Sequence, residues 1–404
     1  MKAFHLMCKP VSYSCNLDCT YCFYLDKEQH VLPEKKQMKM DDQTLELYIQ
    51  NFISAQEQDE ILFAWQGGEP TLAGLDFYKK AVELQSKYAN GKKIKNTFQT
   101  NAILIDSNWA EFFKLHNFLV GVSIDGPDFV HDHYRVTRSN KGTHNKVLQA
   151  INLLKDQKVE FNIITVITKH SLKYAQEIYH YITKNIGAQH IQFIPIVEHR
   201  STLNEQLIYP SPDSDSLLTD WSISGEQYGL FMQDIFRLWV TKDVGRVFVQ
   251  LFENALTAWY GYTPSLCTMR PTCGDALVLE QNGDIYSCDH YVYPEYKIGN
   301  IKQQNLNKII NQKKQKQFSS DKSKLNRLCH ECEFKFTCHG GCPKHRTLDI
   351  GLTHKHNHLC DGYKIIFAEM DPYLKCMVKL IQSGKPASQI MNHIYQVSFP
   401  ENSI

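Results

Sequence analysis

Three cysteines near the start of the chain, Cys15, Cys19 and Cys22, lie within the eight residues CNLDCTYC. Three thiolates on one short loop suit three corners of a cubic 4Fe–4S cluster, which normally takes four cysteines. A loop that supplies only three leaves one iron free to bind a group that is not protein. A zinc site takes four ligands and would need a distant one such as Cys8. The loop therefore predicts an open iron–sulfur cluster, with a zinc site as the alternative.

Eight further cysteines form two sets in the last third of the chain. One set lies in CTMRPTC and the later YSCDHY, and the other in CHECEFKFTCHGGC and the later HLCDGY. Eight ligands are enough for two fully ligated iron–sulfur clusters, and two zinc sites would also fit. The eight are Cys267, Cys273, Cys288, Cys329, Cys332, Cys338, Cys342 and Cys360. The remaining Cys8 and Cys376 are expected to be buried free cysteines.

Composition narrows the class of protein that these cysteines serve. The 44 basic and 43 acidic residues give a net charge of +1, which indicates neither a nucleic-acid nor a membrane partner. No stretch approaches the ~18 apolar residues of a membrane-spanning helix, and the N-terminal apolar run is short for a secretion signal. Clustered cysteines in a cytoplasmic protein are typical of metal ligands and not of a disulfide framework. We therefore expect a cytoplasmic metalloprotein.

The elements that position the first loop alternate between strand-like and helix-like patterns. An opening strand near residues 3–9 is followed by the strand-like runs ILFAWQGG, NTFQT, FLVGVSIDG, FNIITVIT and HIQFIPIV. Between most of them lie helical patterns, such as the i, i+3, i+4 apolar spacing of TLELYIQNFI. About six β/α units by residue 198 predict an α/β fold with a parallel sheet. In such folds the site lies at the carboxyl ends of the strands, where CNLDCTYC and QGGE fall.

The later part of the chain reads differently. Residues 199–222 are polar, contain two prolines and are interpreted as a linker or long loop. Helical stretches are expected at roughly 226–240 and 246–259. The run VLEQNGDIYSC predicts a hairpin that turns at Asn282–Gly283.

The spacing C-x3-C-x2-C resembles that of the radical S-adenosylmethionine (SAM) enzymes. The resemblance implies that the open iron binds SAM, whose reductive cleavage gives methionine and a 5′-deoxyadenosyl radical. It also implies a partial (β/α)6 TIM-like barrel, with GGEP at 67–70 as the motif that holds the methionine part of SAM. The late cysteines resemble a SPASM domain, found beside such barrels in enzymes that modify peptides and proteins. The implied division is 1–225 barrel, 226–266 helical linker region, 267–375 SPASM domain, and 376–404 C-terminal helix and tail.

The SPASM resemblance implies how the late cysteines divide between two auxiliary 4Fe–4S clusters, which brings the total to three. One cluster would be held by Cys267, Cys273, Cys288 and Cys342. The other would be held by Cys329, Cys332, Cys338 and Cys360.

The motifs CNLDCTYCFY, WQGGEPTL, QTN, VGVSIDGP, QFIP, CDHYV and CHGGCPKHR together are similar to those of the anaerobic sulfatase-maturating enzymes. The similarity implies oxidation of a cysteine or serine to Cα-formylglycine in a C/S-x-P-x-R segment of an unfolded or nascent sulfatase. It implies an electron donor such as flavodoxin or ferredoxin. The matching SAM contacts are Tyr21, Gly68, Ser123, Arg135 and Val197.

The family's catalytic base is an aspartate directly after an auxiliary-cluster cysteine, and the matching residue is Asp289 after Cys288. A carboxylate there can take the thiol or hydroxyl proton if it lies within hydrogen-bond reach. The next residue, His290, departs from the family pattern, in which an apolar aromatic is usual. Because of this departure, the sequence determines the identity of the substrate less well than the type of reaction.

Two other functions are compatible with the same motifs. A SPASM peptide maturase would form thioether or carbon–carbon crosslinks, but many of those carry an N-terminal leader-binding domain, whereas this cluster motif begins at Cys15. A non-catalytic iron–sulfur or zinc protein is the alternative from another class, and the six β/α units make it the least favoured.

Overall fold

The computed structural model describes residues 4–24, 27, 39–202, 207–208, 216–274, 276–394 and 397. The strands in this part of the chain are β1 His5–Lys9, β2 Glu60–Trp65, β3 Lys93–Thr100, β4 Phe118–Ser123, β5 Phe161–Ile167, β6 His190–Pro195, β7 His199–Ser201, β8 Leu207–Ile208, β9 Ser216–Leu218, β10 Phe248–Val249, β11 Ala276–Glu280, β12 Asp284–Tyr286 and β13 Lys297–Asn300.

The α-helices in the same described residues are α1 Asp42–Ala55, α2 Leu75–Tyr88, α3 Ser107–Leu115, α4 Asp128–Tyr134, α5 His144–Asp156, α6 Ala175–His180, α7 Gly225–Lys242, α8 Gln250–Trp259, α9 Leu306–Ile310, α10 Lys313–Asp321, α11 Arg327–His330, α12 Lys335–Cys338 and α13 Cys360–Gln382. None of the described helices is both long and apolar enough to cross a membrane.

The first of two compact units contains Met1–Ile124, His131–Asn162 and Cys273–Asp321. Its strands β1 to β4 pair in parallel and in sequence order. On the other side of β1 lies β11, which is also parallel, and it continues into the antiparallel pairs β11–β12 and β12–β13. The hairpin predicted at Asn282–Gly283 is therefore confirmed. A segment from the cysteine-rich part of the sequence thus extends the sheet that carries the first cysteine loop.

Helix α1 shows why the local sequence folds as predicted. The Asp41 side chain accepts a hydrogen bond from the Thr44 backbone N–H at 2.6 Å, so it caps the first turn. The apolar face is buried as its spacing indicated, and it packs the ring of Tyr48 against Phe52 and Trp65. The Tyr48 hydroxyl donates to the Leu6 carbonyl at 3.0 Å. These contacts fix the helix against β1 and β2.

The second compact unit contains Asp125–Val130, Ile163–Thr272 and Lys322–Ile404. In it, β5 pairs in parallel with β6, and β6 pairs in parallel with β10. Helices α7 and α13 approach closely because they meet at glycines. A Cβ atom on Gly362 would lie 2.9 Å from the Gly229 nitrogen and 3.0 Å from the Gly225 carbonyl carbon.

The α/β class and the six predicted strands are confirmed, with β1 to β4 in the first unit and β5 and β6 in the second. The interpretation of 199–222 as a linker is wrong where the structure describes it, because β7 pairs antiparallel with β8 and β9. Residues 203–206 and 209–215 of that segment lie outside the described residues, as do 395–396 and 398–404 of the predicted tail. The predicted division at 225, 266 and 375 stays a prediction.

Candidate active site

The first cysteine loop follows directly after β1. Within it, the Leu17 backbone N–H points to Cys15 Sγ at 3.4 Å, and Asn101 Nδ2 lies 3.7 Å from the same sulfur. The Cys22 N–H donates to the Cys19 carbonyl at 2.9 Å, so the last two cysteines share one turn. The thiols of Cys15 and Cys22 lie close enough to interact electrostatically. The loop therefore brings the thiols of Cys15 and Cys22 near each other, as a shared cluster requires.

Burial and the negative charge of Glu69 raise the pKa of the Cys15 thiol to about 12 in the metal-free chain. A thiol must be deprotonated to bind a metal, and a bound cation removes the proton outright. The sulfur is thus held as a neutral thiol unless a positively charged centre is bound beside it.

The segment GGEP at 67–70 holds this loop by its backbone. The Gly68 N–H donates to the Ser12 carbonyl at 2.7 Å, and the Glu69 N–H donates to the Ser14 carbonyl at 2.8 Å. A Cβ atom on Gly68 would lie 2.5 Å from the Ser14 carbonyl carbon and 2.6 Å from the Tyr13 oxygen. The glycine is therefore required by the close approach of two backbone segments.

The Glu69 carboxylate is fully buried and is bonded to the protein itself. One oxygen accepts from the Thr71 N–H at 3.0 Å, the Thr71 hydroxyl at 2.7 Å and the Thr100 hydroxyl at 2.8 Å. The other accepts from the Asn101 N–H at 2.7 Å, and Asn101 Nδ2 donates to Asn16 Oδ1 at 2.9 Å. Burial raises the pKa of Glu69, and these hydrogen bonds, which lower the pKa, offset only part of that rise. The carboxylate thus ties the ends of β2 and β3 to the cysteine loop.

Four of the five predicted SAM contacts lie in the first unit. The Arg135 guanidinium carbon is 5.5 Å from the centroid of the Tyr21 ring, and Tyr134 packs edge-on against that ring at 5.8 Å. Ser123, at the end of β4, accepts a hydrogen bond from Gln99 Nε2 at 3.0 Å. Gly68 lies against the loop as described above. Val197 is buried in the second unit after β6. The roles of these residues in SAM binding stay predictions.

Four of the late cysteines line one small cavity in the second unit. They are Cys329, Cys332, Cys338 and Cys360, and Lys335, His356 and Lys364 also line the cavity. Burial raises the pKa of Cys338 to about 11 and that of Cys360 to about 12, and neighbouring thiols of the set add to both shifts. This is the set that the SPASM resemblance assigns to one cluster, and its occupancy by a cluster stays a prediction.

The other four assigned cysteines are divided between the two units. In the second unit, Cys267 and Cys342 lie close enough to interact electrostatically, and Lys322 Nζ donates to the Cys267 carbonyl at 2.5 Å. In the first unit, the Cys273 N–H donates to the Ser319 carbonyl at 3.1 Å. Their assignment to one cluster with Cys288 stays a prediction.

The donor geometry bears on the zinc alternative. A zinc ion needs its ligands within about 2.0–2.3 Å of one point. Among the residues that the structure describes, no group of three or more His, Cys, Asp or Glu side chains is placed to hold a single ion. A four-iron cluster takes one thiolate on each of several irons and does not need that convergence. The assignment of the cysteine sets to clusters, with zinc as the alternative, stays a prediction.

Asp289 begins a short helical turn, Asp289–Tyr291, that follows β12. Its carboxylate forms an ion pair with the ammonium group of Lys9, which is the last residue of β1 and is 1% exposed. Burial opposes ionisation of Asp289, but the charge and hydrogen bond of Lys9, together with electrostatic interactions with His290 and Lys27, hold the pKa of the carboxyl below its usual value. Asp289 is therefore held in the ionised form that a proton acceptor needs.

The sequence interpretation missed the residues around this ion pair. Lys9 Nζ lies 3.4 Å from the centroid of the Tyr24 ring, and the Tyr24 hydroxyl donates to the buried carboxylate of Glu280. The one available signal was Lys9, a lysine at the end of an apolar strand. The sequence does not show which acidic residue pairs with it. His290, the departure from the family pattern, packs edge-on against Phe23 with ring centroids 5.8 Å apart.

Comparison with known proteins identifies the family to which this chain belongs. A Radical SAM superfamily model matches residues 10–182, and an iron–sulfur cluster-binding domain model, SPASM, matches 267–333. The serine-type anaerobic sulfatase-maturating enzyme of Bacteroides thetaiotaomicron is 42% identical over 96% of this chain and 95% of its own length. The chain belongs to the anaerobic sulfatase-maturating enzymes.

Other relatives agree with this assignment. The cysteine-type anaerobic sulfatase-maturating enzyme of Clostridium perfringens (strain 13 / Type A) is 33% identical, with 93% of this chain and 98% of that protein covered. The structure of native anSMEcpe with bound AdoMet and Cp18Cys peptide superposes with a TM-score of 0.82 at 31% identity, covering 93% and 99% of the two chains. Streptococcus suis SuiB shares the fold, with a TM-score of 0.60 at 15% identity over 88% of this chain and 77% of SuiB.

The family, the fold class and the enzyme class predicted from the motifs are thereby confirmed. This member of the anaerobic sulfatase-maturating enzymes is a radical SAM enzyme with a SPASM region. The matches to both models also confirm SAM and iron–sulfur clusters as its cofactors.

Proposed function

We propose that this enzyme oxidises a cysteine or serine in a C/S-x-P-x-R segment of a sulfatase polypeptide to Cα-formylglycine, in the cytoplasm. The observation that carries the proposal is the ion pair between the Asp289 carboxylate and Lys9. Asp289 follows the hairpin of β11 and β12, β11 pairs with β1, and β1 leads into the cysteine loop. The 42% identity to a serine-type enzyme supports it, as does the superposition on a relative with bound peptide.

The cofactors would be held by residues of three kinds. Cys15, Cys19 and Cys22 would bind the open cluster, the eight late cysteines would bind two auxiliary clusters, and Tyr21, Gly68, Ser123, Arg135 and Val197 would contact SAM. When bound, these groups supply the 5′-deoxyadenosyl radical that removes a hydrogen atom from the target Cβ, and they accept the one electron that the substrate then loses.

The remaining requirement is removal of a proton from the substrate, and Asp289 is the residue that accepts this proton. Loss of a hydrogen atom, an electron and the thiol or hydroxyl proton together makes a two-electron oxidation. The product is the aldehyde from serine, or a thioaldehyde from cysteine that water hydrolyses with release of hydrogen sulfide. Because Lys9 holds the Asp289 carboxylate ionised before the reaction, the oxygen is ready to accept the proton.

The test uses anaerobically reconstituted full-length enzyme, SAM, a reductant and two peptides that differ only in cysteine or serine at the target position. Peptide mass should fall by about 18 for cysteine or about 2 for serine. Asp289→Asn should abolish this product while 5′-deoxyadenosine still forms. The matched control is Asp284→Asn, because Asp284 is also a buried acid of this hairpin and pairs with Lys297 at 2.6 Å.

Each outcome bears on a separate part of the proposal. Formation of 5′-deoxyadenosine without any change in either peptide would refute sulfatase maturation. It would favour the alternative function, crosslinking of another peptide. Unchanged product in Asp289→Asn would remove Asp289 from the role of base. A colourless protein without roughly twelve irons per chain would argue against the three-cluster assignment.

We also propose that a small one-electron carrier, flavodoxin or ferredoxin, reduces the enzyme in the cell. A reduced flavodoxin system that replaces dithionite in the peptide assay should support turnover. Absence of turnover with either carrier, in an assay where dithionite works, would contradict the proposal.

A further inference from the structure

Lys9 is a charged side chain at a position where the chain buries almost everything else. It ends β1, its side chain is 1% exposed, and its ammonium group contacts both the Asp289 carboxylate and the face of the Tyr24 ring. A buried cation is costly unless it is paired, and an aromatic face adds a favourable electrostatic contact. The chain therefore maintains this lysine at an energetic cost, which points to a role beyond packing.

Backbone pairing sets where the ammonium group lies. Strands β1 and β11 are parallel and in register from His5 to Lys9, so Lys9 lies beside Glu280. Glu280 accepts a hydrogen bond from the Tyr24 hydroxyl. Tyr24 lies two residues after Cys22, the last cysteine of the first loop. The ammonium group thereby lies among three elements: the strand before the cysteine loop, Tyr24 after that loop, and β11, the first strand of the hairpin that leads to Asp289.

The base itself is less firmly held by its own backbone. Asp289 begins a helical turn of three residues, and its side chain is 22% exposed. A carboxylate on such a short turn can rotate, whereas proton transfer requires the oxygen within about 2.6–3.2 Å of its donor. An ion pair to a group fixed at the end of β1 removes that freedom.

We propose that Lys9 is a positioning residue that aims the Asp289 carboxylate at the substrate and couples radical formation to product formation. This inference rests on the proposed function. Without the ammonium group, radical formation proceeds because the cysteine loop is intact, but the thiol or hydroxyl proton is not removed. The substrate radical then takes an electron from the reductant and a proton from water, and it returns to the starting side chain. A misplacement of about 1 Å costs on the order of 100-fold in rate.

The experiment measures 5′-deoxyadenosine and formylglycine in the same reactions of the full-length holoenzyme, for wild type and Lys9→Met. We expect at least a tenfold rise in the ratio of deoxyadenosine to formylglycine, with the iron content of the wild type. Lys297→Met is the matched control, because Lys297 pairs with Asp284, another acid of the same hairpin region, at 2.6 Å. Its ratio should stay within twofold of the wild type.

A double-mutant cycle separates positioning from a merely structural role. If Lys9 acts only through Asp289, adding Lys9→Met to Asp289→Asn should leave the 5′-deoxyadenosine yield and the iron content of the single Asp289→Asn variant unchanged. If Lys9→Met does not fold, Lys9→Met/Glu280→Gln keeps Asp289 while it removes one positive and one negative charge together, and the same tenfold rise is expected.

The ratio also distinguishes the two ways of being wrong. A fall of both products together at an unchanged ratio, in Lys9→Met or in the charge-balanced variant, would overturn the role of Lys9 and leave the proposed function standing. A wild type that makes deoxyadenosine but no formylglycine would overturn the proposed function and this inference with it.

Discussion

Gly68→Ala tests whether the close approach of two backbone segments sets the geometry of the cysteine loop. The added methyl carbon would lie 2.5 Å from the Ser14 carbonyl carbon and 2.6 Å from the Tyr13 oxygen. Non-bonded carbon atoms pack at about 3.5–4.0 Å, so relief requires a shift of about 1 Å. Both neighbours are backbone, and therefore no side-chain rotation can absorb the shift. The segment just before Cys15 must move instead.

A shift of about 1 Å in a catalytic arrangement costs on the order of 100-fold in rate. We therefore expect Gly68→Ala to form 5′-deoxyadenosine roughly 100-fold more slowly than wild type, in reactions that contain SAM and reductant but no peptide. Leaving out the peptide confines the readout to the cysteine loop and SAM. Iron content and visible absorbance are measured on the same sample, because loss of the open cluster and misplacement of SAM are separate ways of losing the rate.

Gly74→Ala is the matched control. Gly74 ends the short helix Pro70–Ala73 with φ of 84°, and a Cβ atom there would meet nothing within 4 Å. The substitution adds backbone strain of about 1–3 kcal/mol without any overlap. It should lower the thermal midpoint and leave SAM cleavage within a fewfold of wild type. Wild-type cleavage by Gly68→Ala, or an equal loss in both variants, would refute the reasoning.

Three further expectations follow from other parts of the chain. Gly362→Ala should lower stability by about 1–3 kcal/mol, because its methyl overlaps the Gly225 carbonyl; an unchanged melting curve would contradict this close approach. Burial raises the pKa of Glu253 from 4.5 to about 7, so the native state keeps a proton that the unfolded chain loses, and stability falls as pH rises through this window by up to about 3 kcal/mol. The gain in melting temperature of Glu253→Gln over wild type should therefore grow between pH 5 and 8, and a constant gain would refute the shift. His290→Phe keeps an aromatic ring against Phe23 and should retain formylglycine formation within a fewfold; a complete loss would show that the imidazole itself is required.

Local patterns predicted the parts of this protein whose physical cause is local. Short runs rich in strand-forming residues predicted β2 to β6, and the Asn282–Gly283 pair predicted the hairpin that β11 and β12 form. A turn or an amphipathic helix is set by neighbouring residues, so its pattern survives in the sequence. The segment 199–222 was misread because its polar, proline-containing composition indicates a loop. β7 forms by backbone pairing with β8 and β9 of the same segment, and composition does not reveal that pairing.

The site was predicted unevenly for the same reason. Cysteine spacing named the thiols, since three ligands on one loop are a local arrangement, and resemblance named Asp289. The use of the Glu69 carboxylate to tie two strands and the cysteine loop together was not foreseen, because it depends on Thr100 and Asn101 at the end of another strand.

By itself, the sequence determined the family and the α/β class and named the candidate ligands, because each is encoded in the types and spacing of residues that are close along the chain. Only the tertiary structure decided which charge faces Asp289. Lys9 and Asp289 are 280 positions apart, and no periodicity links them. They meet because β11 pairs in parallel with β1, and the free energy of that pairing comes from backbone hydrogen bonds and burial that no short stretch of sequence contains.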